Sequence, residues 1–298
     1  MSNESQKFGS VVLATSACIA GCGGESTGTV VVEVSGEEAP VVGYPAGDIA
    51  FIDGWSIDFD HIFVAVEGFY LAEGDRSQTL EADNTVIDLT DGDQELWMFA
   101  GVPAQRWSDV EYVITEPTAT SRRVGTVTEA DVTAMATAGV SFRMIGTATH
   151  PTHGDYDFDV AIPMSVHASE CVSGRDGTDG IVVPVNGTHQ TQITLHLDHL
   201  FFDSARAEEP NLRFEAWAAV AGDDDLITYA DLASQNLADL VGIDGMPLVD
   251  DEGAPIAYEP PASGLPMQNL QAFLLAEAFT IGHFEGEGHC DYHDHDAH

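Results

Sequence analysis

The amino-acid sequence predicts a mainly β protein, an antiparallel β-sandwich with a few helices, the longest of them near the C-terminus. Two observations carry this prediction. Residues 55–71 alternate apolar and polar side chains over a long run, which is the period-two pattern of a strand with one buried face. Shorter runs of apolar and aromatic residues follow. Glycine, aspartate and proline separate them at the spacing of a sandwich or barrel.

The predicted strands begin with Thr29–Val34 and continue with the long run Trp55–Leu71. Within the long run, strict alternation places the side chains at 57, 59, 61 and 63 on one face. Gly68 is expected to mark a β-bulge. The remaining predicted strands are Thr85–Leu89, Leu96–Ala100, Ser108–Thr115, Ser141–Thr149 and Asp157–Val166.

A β-hairpin is predicted around Asn186-Gly187, because both central residues of its turn take positive φ and Asn-Gly favours that conformation. Its first arm would be 181–185, an edge strand since it contains a proline. Its second arm would be 188–203, and the far end of that arm carries the run His-Leu-Asp-His at 196–199. Metal ligands are often located where a rigid strand ends and a loop begins, as in this run.

Three helices are expected between and after the strands. Thr-Glu-Ala-Asp at 128–131 and Thr-Tyr-Ala-Asp at 228–231 both resemble a capping box, so helices are predicted from Thr128 to Gly139 and from Thr228 to about Leu240. The third helix would begin at Pro266 and end before Gly282.

The charge of the chain limits its partners. The 298 residues include 50 acids and only 9 basic residues, for a net charge of −41, and the only lysine is Lys7. Such a surface repels phosphate backbones and anionic lipid head groups, so nucleic acid is not an expected partner. Two interpretations of the acids stay open, namely adaptation to salty surroundings and capture of calcium or other cations.

The N-terminus resembles that of bacterial lipoproteins. A short apolar run, 8–20, ends in Ile19-Ala-Gly-Cys22, which is similar to a lipobox, in which the cysteine is lipidated and becomes the first residue. The resemblance implies a signal peptide at 1–21 and lipidation of Cys22. The run is too short to cross a bilayer as a helix. The expected location is therefore the cell envelope, at the outer membrane or cell surface, with the membrane contacted through the lipid anchor alone.

The rest of the chain is expected to comprise a tether at 22–28, one β-sandwich domain with a helical C-terminal part at 29–290, and a disordered tail rich in histidine and aspartate at 291–298. Two cysteines, Cys171 and Cys290, would remain in the mature protein. In an oxidising compartment two leftover cysteines usually pair, so a disulfide is predicted. The alternative is that Cys290, within Gly-His-Cys-Asp-Tyr-His, is a metal ligand.

The mature part also resembles a group of uncharacterised secreted lipoproteins of myxobacteria and their relatives. The residues that carry this resemblance are Asp53-Gly-Trp55, Val102-Pro103-Ala104, the run His196 to Phe201, Gly282-His-Phe, and Gly288-His-Cys290. The resemblance implies a shared fold and no particular activity.

A transition-metal site is the main functional prediction. Neutral imidazole is a common ligand of zinc and copper, and a site needs three or four donors together. The candidate ligands are His196 and His199, at the end of the predicted hairpin, and His283 and His289, after the last predicted helix. A Cys171–Cys290 bridge would hold that last segment against the sheet. The alternative is that these histidines are ordinary polar loop residues.

Calcium is a weaker prediction. The stretch 221–232 resembles the loop and exiting helix of an EF-hand, with Asp224 and Asp231 as ligands, but Asp225 occupies the sixth position, where glycine is required.

The run 194–199 is similar to the HxHxDH motif of metallo-β-lactamase-like hydrolases, with Thr194 in place of the first histidine.

No catalytic residue is assigned. The favoured function is a metal-binding lipoprotein without catalysis. The alternatives are a structural or adhesion module whose acidic face works through calcium or salt, and a metal-dependent hydrolase. The protein partner is not predicted.

Overall fold

The computed structural model describes residues 25–46, 51–80, 82–207, 209–222, 224–250, 253–260 and 267–294. Within these ranges the strands are β1 Thr27–Ser35, β2 Ser56–Glu73, β3 Arg76–Leu80, β4 Thr85–Asp88, β5 Gln94–Pro103, β6 Arg106–Trp107, β7 Asp109–Ile114, β8 Arg122–Arg123, β9 Phe142–His150, β10 Gly154–Ile162, β11 Val166–Ser169, β12 Ile181–Val182, β13 Thr188–Leu195, β14 Leu226–Thr228, β15 Gly282–Phe284 and β16 Asp291–Asp294. The α-helices are α1 Ala39–Val42, α2 Glu129–Ala138, α3 Glu215–Ala218 and α4 Leu270–Ala278. Short 3-10 turns cover Leu89–Asp91, Leu197–Phe201 and Asp231–Ser234.

The described strands form two large sheets. The smaller has the order β15-β13-β1-β5, and the larger has the order β14-β10-β9-β2-β7-β11-β16, with β3, β4 and β8 joined to it through β2. A third, two-stranded sheet pairs β12 with β6. The mainly β, sandwich-like fold predicted from the sequence is therefore confirmed. Most pairs of described strands are antiparallel, but three are parallel, namely β13 with β1, β14 with β10, and β8 with β4.

One hydrophobic core joins the two large sheets. Val30, Val32 and Val34 of β1 belong to the same cluster of buried side chains as Ile62 and Val64 of β2. A smaller cluster lies on the opposite face of β2, where Phe63 packs with Val132 and Met135 of α2. The central strand β2 is therefore buried on both faces, which explains why it is long and mostly apolar.

Two bulges shape β2. The pairing of β2 with β7 shifts register between Glu67 and Phe69, which places the predicted bulge at Gly68, where φ is +69°. A second shift, between Phe59 and His61 in the pairing with β9, was not predicted. Because the extra residue reverses the alternation, Phe59 packs against the main core and Phe63 against the α2 cluster, while His61 is exposed. The prediction that 57, 59, 61 and 63 share one face was wrong.

The predicted hairpin was also wrong. Ile181–Val182 pairs with β6, and β13 lies between β1 and β15. Asn186 does take a positive φ of +53°, but its backbone N–H donates to the carbonyl of Thr27. The turn therefore leads into β13, which pairs with β1 from Thr29 with Thr188 to Ser35 with Thr194. This pairing is longer than the predicted hairpin could form with 181–185.

The helix predictions had mixed outcomes. Helix α2 begins with the expected capping box between Thr128 and Asp131. The N–H and hydroxyl of Thr228 donate to the Asp231 carboxylate, but only the 3-10 turn Asp231–Ser234 follows, so the predicted helix to Leu240 was wrong. The C-terminal helix is present as α4, where the Asn269 side chain accepts from the N–H of Ala272. Pro266, where it was expected to begin, lies outside the described residues.

The segment after Cys290 was expected to be disordered from residue 291. Instead, Asp291–Asp294 is strand β16 and pairs with β11, from Val166 with Asp294 to Ser169 with Asp291. The hydroxyl of Tyr292 donates to the carbonyl of Gly282, which ties this strand to β15. Residues 295–298 lie outside the described part of the chain.

Candidate metal site

His196 and His199 come together because strand β13 ends immediately before them. On a continuous strand, residues three apart would face opposite sides of the sheet. Here the 3-10 turn Leu197–Phe201 follows His196 at once, and the ring centroids of the two histidines lie 5.7 Å apart. The backbone N–H of His196 donates to the carbonyl of Ile281 at 2.8 Å, which fixes the start of the turn against the C-terminal segment.

Aromatic packing holds the turn in place. Phe201, the last residue of the turn, is buried, and its ring centroid lies 5.2 Å from that of Phe51, 6.2 Å from that of Phe214 and 5.4 Å from that of Trp217. Edge-to-face and tilted contacts of this kind favour defined ring positions. The backbone that carries His199 therefore rests on a rigid base.

His283 reaches the same place from the far end of the chain. It lies on β15, opposite Thr194 of β13, two residues before His196 along the strand. The ring centroid of His283 lies 4.2 Å from that of His196 and 5.3 Å from that of His199. The His289 ring lies next to His283, at 5.7 Å between centroids. Of the four histidines predicted as ligands, the structure brings His196, His199 and His283 together and places His289 beside His283.

The loop after β15 is anchored at several points. The Cys171–Cys290 disulfide is present, as predicted, so neither cysteine is a metal ligand. The carbonyl of His289 accepts from the N–H of Val172 at 2.7 Å, beside this bridge. At the other end of the loop, the N–H of Gly286 donates to the hydroxyl of Thr194 at 2.9 Å. Both ends of the loop that carries Glu287 and His289 are therefore tied to the sheet.

A buried carboxylate adds a further anchor to this loop. Glu285 is 6% exposed, and it accepts from the Ser173 hydroxyl at 2.6 Å. The Arg175 guanidinium and the His189 ring lie 3.5 Å and 3.6 Å from its other oxygen. Although burial acts to raise the pKa of Glu285, the His189 ring, the Ser173 hydroxyl and the Arg175 charge outweigh it, so that the pKa lies below its usual value.

Two carboxylates complete the donor set. Within the described residues, two groups of three side chains place one donor atom each within 4.8 Å of the others. One group is His196, His283 and Glu287, and the other is His196, Asp198 and His199. Glu287 was missed by the sequence reasoning, and no signal marks it among 50 acids. His289 belongs to neither group and lies beside His283.

Each of the two buried histidines has one ring nitrogen without a hydrogen-bond partner among the described residues. His196 is 6% exposed and His283 is 7% exposed. Among the described residues, no hydrogen-bond partner reaches Nε2 of His196 or Nδ1 of His283. Burying a polar atom without a partner costs roughly 1–3 kcal/mol. A metal ion bound to these two nitrogens would supply the interaction that they lack.

Thr280 determines which nitrogen of His199 is free. The Thr280 hydroxyl donates its hydrogen to the carbonyl of Glu277 at 2.8 Å, so it can only accept at its second contact, 2.9 Å from Nδ1 of His199. Nδ1 therefore carries the proton, and Nε2 keeps its lone pair. A partner of this kind, which fixes the tautomer of a ligand, is typical of histidines in metal sites.

The surroundings of His283 and His199 favour the neutral form of both imidazoles. Burial, together with the neighbouring rings of His196, His199 and His289, lowers the pKa of His283 to about 3. Burial also lowers the pKa of His199, against the opposing effect of Asp198. Since a histidine must lose its proton before it can bind a metal, the site is ready for a cation at neutral pH.

The other predicted sites lie elsewhere. Cys22, the predicted lipidation site, lies outside the described residues. Asp231 accepts hydrogen bonds from the N–H and hydroxyl of Thr228, and Asp224 is exposed. Among the described residues, neither aspartate belongs to a group of three possible ligands. The 3-10 turn at Asp231 also takes the place of the exiting helix that an EF-hand would require.

In comparisons with protein-family models, curated proteins and solved structures, nothing matches this chain. Among the described residues, no helix has both the length and the apolar character needed to cross a bilayer.

Proposed function

We propose that this chain is a lipid-anchored protein of the cell envelope that binds a transition metal ion, zinc or copper, at the histidine cluster. The observation that carries the proposal is the contact between His196 and His283, two buried imidazoles from distant parts of the chain that each have an unpaired nitrogen. An arrangement that serves stability alone would pair these nitrogens with hydrogen-bond partners.

The donor types favour zinc and copper over calcium. Each candidate group supplies two imidazoles and one carboxylate. Imidazole suits zinc, copper and nickel, whereas calcium takes six to eight oxygen ligands. A calcium site at Asp224 and Asp231 receives no support from the described contacts.

The anchor and the location rest on the N-terminal sequence. Ile19-Ala-Gly-Cys22 supports lipidation at Cys22, and the buried Cys171–Cys290 bridge is consistent with an oxidising compartment. The net charge of −41 argues against a nucleic-acid partner and would attract cations towards the cluster.

A metal-dependent hydrolase is the second candidate, and one observation favours it. Two imidazoles and a glutamate, as in the group of His196, His283 and Glu287, form a ligand set found in catalytic zinc sites that keep a position for water. No second group is assigned as a general acid or base, so metal binding without catalysis remains the proposed function.

Metal analysis tests the proposal. Full-length protein without an affinity tag is to be incubated with zinc, passed through gel filtration and analysed for its metal content. Zinc retained in stoichiometric amount supports a metal-binding protein. Absence of retained zinc and, in a parallel experiment, of copper would instead favour a structural or adhesion module that acts through its acidic surface.

Fractionation tests the anchor. Cys22→Ser should release the protein from the membrane fraction, whereas Cys18→Ser, the matched change in the predicted signal peptide, should leave it there. The opposite pattern would move lipidation to Cys18.

A further inference from the structure

We propose that the cluster binds two metal ions at once, one in each donor group, with the ring of His196 between them. This inference rests on the proposed metal-binding function and extends it from one ion to two. The first position would be formed by His196, His283 and Glu287, and the second by His196, Asp198 and His199.

The separation of the two groups argues against a single ion. A zinc ion lies about 2.0–2.2 Å from its nitrogen and oxygen ligands, so two ligands of one ion are at most about 4.4 Å apart. The five donors do not come together within 4.8 Å as one group, and the two groups share only His196. One ion in either group would leave the donors of the other group unused.

His196 has the chemistry needed at the shared position. Its ring has two nitrogens on opposite sides. Nε2 is buried without a hydrogen-bond partner, and Nδ1 lies 3.9 Å from the nearest oxygen of Glu37, beyond hydrogen-bond distance. When two ions bind, the N–H bond of the neutral ring breaks, the proton passes to solvent, and each nitrogen forms one bond to a metal. No electron is transferred in this step.

The surrounding charges reduce the repulsion between two cations. Glu287 supplies one negative charge to the first position, and Asp198 supplies one to the second. The imidazolate form of His196 adds a third charge between them, and Glu37 stands on the side of its Nδ1. Each position also has a neutral imidazole of its own, from His283 or His199, so the two positions suit the same class of metal.

The stoichiometry of zinc binding tests this inference. The protein is the full-length chain in which His293, His295 and His298 are replaced by asparagine, so that the C-terminal histidines do not contribute. Elemental analysis after gel filtration should find two zinc ions per chain. Glu287→Gln and Asp198→Asn should each leave one, and Asp93→Asn, the same loss of charge at an exposed residue elsewhere, should leave two.

Copper provides a second readout. Two copper(II) ions joined by an imidazolate couple magnetically, so the spin count from paramagnetic resonance should fall below the copper content from elemental analysis. Asp198→Asn should restore agreement between the two values. One ion per chain, lost to similar degrees in Glu287→Gln and Asp198→Asn, would overturn the two-ion inference and leave the proposed function intact. No bound ion at all would overturn both.

Discussion

The imidazole of His196 lies against that of His283, with 4.2 Å between ring centroids, although one follows strand β13 and the other belongs to β15 near the end of the chain. Both rings are buried, and each has a nitrogen without a hydrogen-bond partner among the described residues. Two unpaired imidazoles in contact inside a protein lower its stability unless something binds between or beside them.

Thr280 is expected to control metal affinity without touching the metal. Its hydroxyl accepts from Nδ1 of His199 and so leaves Nε2 free for a ligand bond. Thr280→Val keeps the shape of the side chain and removes this contact. Zinc affinity, measured by calorimetric titration, should fall about 10–100-fold.

Thr137→Val is the matched control for Thr280→Val. The hydroxyl of Thr137 also donates to a backbone carbonyl, that of Thr133, but it lies on the exposed face of α2 and contacts no histidine. Its loss should leave zinc affinity unchanged. Equal affinities of the Thr280→Val and wild-type proteins would show that the tautomer of His199 does not matter to the site.

The metal-free protein should become less stable as pH falls, because of His283. The folded pKa of about 3 lies below the usual 6.5, so below pH 6.5 the unfolded chain takes up a proton that the folded chain does not. Above pH 6.5 this difference in proton binding does not affect the free energy of unfolding. Between pH 6.5 and 3 it lowers the free energy of unfolding by about 1.4 kcal/mol for each unit that pH falls.

Urea denaturation in the presence of a chelator measures this effect. The difference in stability between wild type and His283→Gln should shift against wild type as pH falls from 7 to 5. His153→Gln, at an exposed histidine, controls for the loss of an imidazole elsewhere. A difference that stays constant with pH would contradict the burial of a neutral His283.

Glu277 should produce the opposite pH dependence. Burial raises the pKa of this carboxyl to about 8, and its Oε1 has no hydrogen-bond partner among the described residues. Between pH 4.5 and 8 the unfolded chain loses a proton that the folded chain keeps, so stability falls as pH rises.

Glu277→Gln cannot ionise, and its stability relative to wild type should rise by about 1.4 kcal/mol per pH unit across the range from 4.5 to 8. Glu129→Gln, at an exposed position on α2, controls for the lost charge. Chemical denaturation at pH 5 and at pH 8 suffices for the comparison. A Gln variant whose advantage is no larger at pH 8 would show that Glu277 is ionised in the folded protein.

The disulfide should support both stability and the metal site. Cys171 and Cys290 are separated by 119 positions, so replacing both with serine frees a long loop in the unfolded chain and should lower the unfolding free energy by about 4–5 kcal/mol. Since Cys290 adjoins His289 and closes the loop that carries Glu287, zinc affinity should fall as well. Reduced wild-type protein should behave like the double variant. Unchanged stability in denaturant would show that the bridge adds little.

Local patterns in the sequence predicted much of the fold. Each of these features depends on residues that are close together in the sequence: the alternation of β2, the glycine at its bulge and the capping box of α2. The second bulge of β2 could not be predicted, because no glycine marks it. The pairing of β13 with β1 joins distant segments, and it prevailed over the Asn186-Gly187 hairpin signal, which is purely local.

The sequence likewise indicated only part of the candidate site. Histidine spacing at a strand end drew attention to His196 and His199, and the position after the last helix drew attention to His283 and His289. Their convergence depends on β15 pairing with β13, which the sequence did not indicate. Glu287 could not be distinguished in so acidic a chain, and Thr280 could not be assigned a role until its distance to His199 was known.

Zinc titration of the His196→Ala variant tests the central claim most directly. The measurement uses full-length protein in two backgrounds, one with the native C-terminus and one with asparagine at 293, 295 and 298. Substitution is preferable to truncation, because Asp291–Asp294 is part of the sheet. In the substituted background, tight zinc binding should persist, and His196→Ala should weaken it at least tenfold, about 1.4 kcal/mol, while His153→Ala does not. If substitution at 293, 295 and 298 abolishes all binding, and His196→Ala in the native background changes nothing, the metal belongs to the C-terminal histidines and the site at His196 and His283 does not exist.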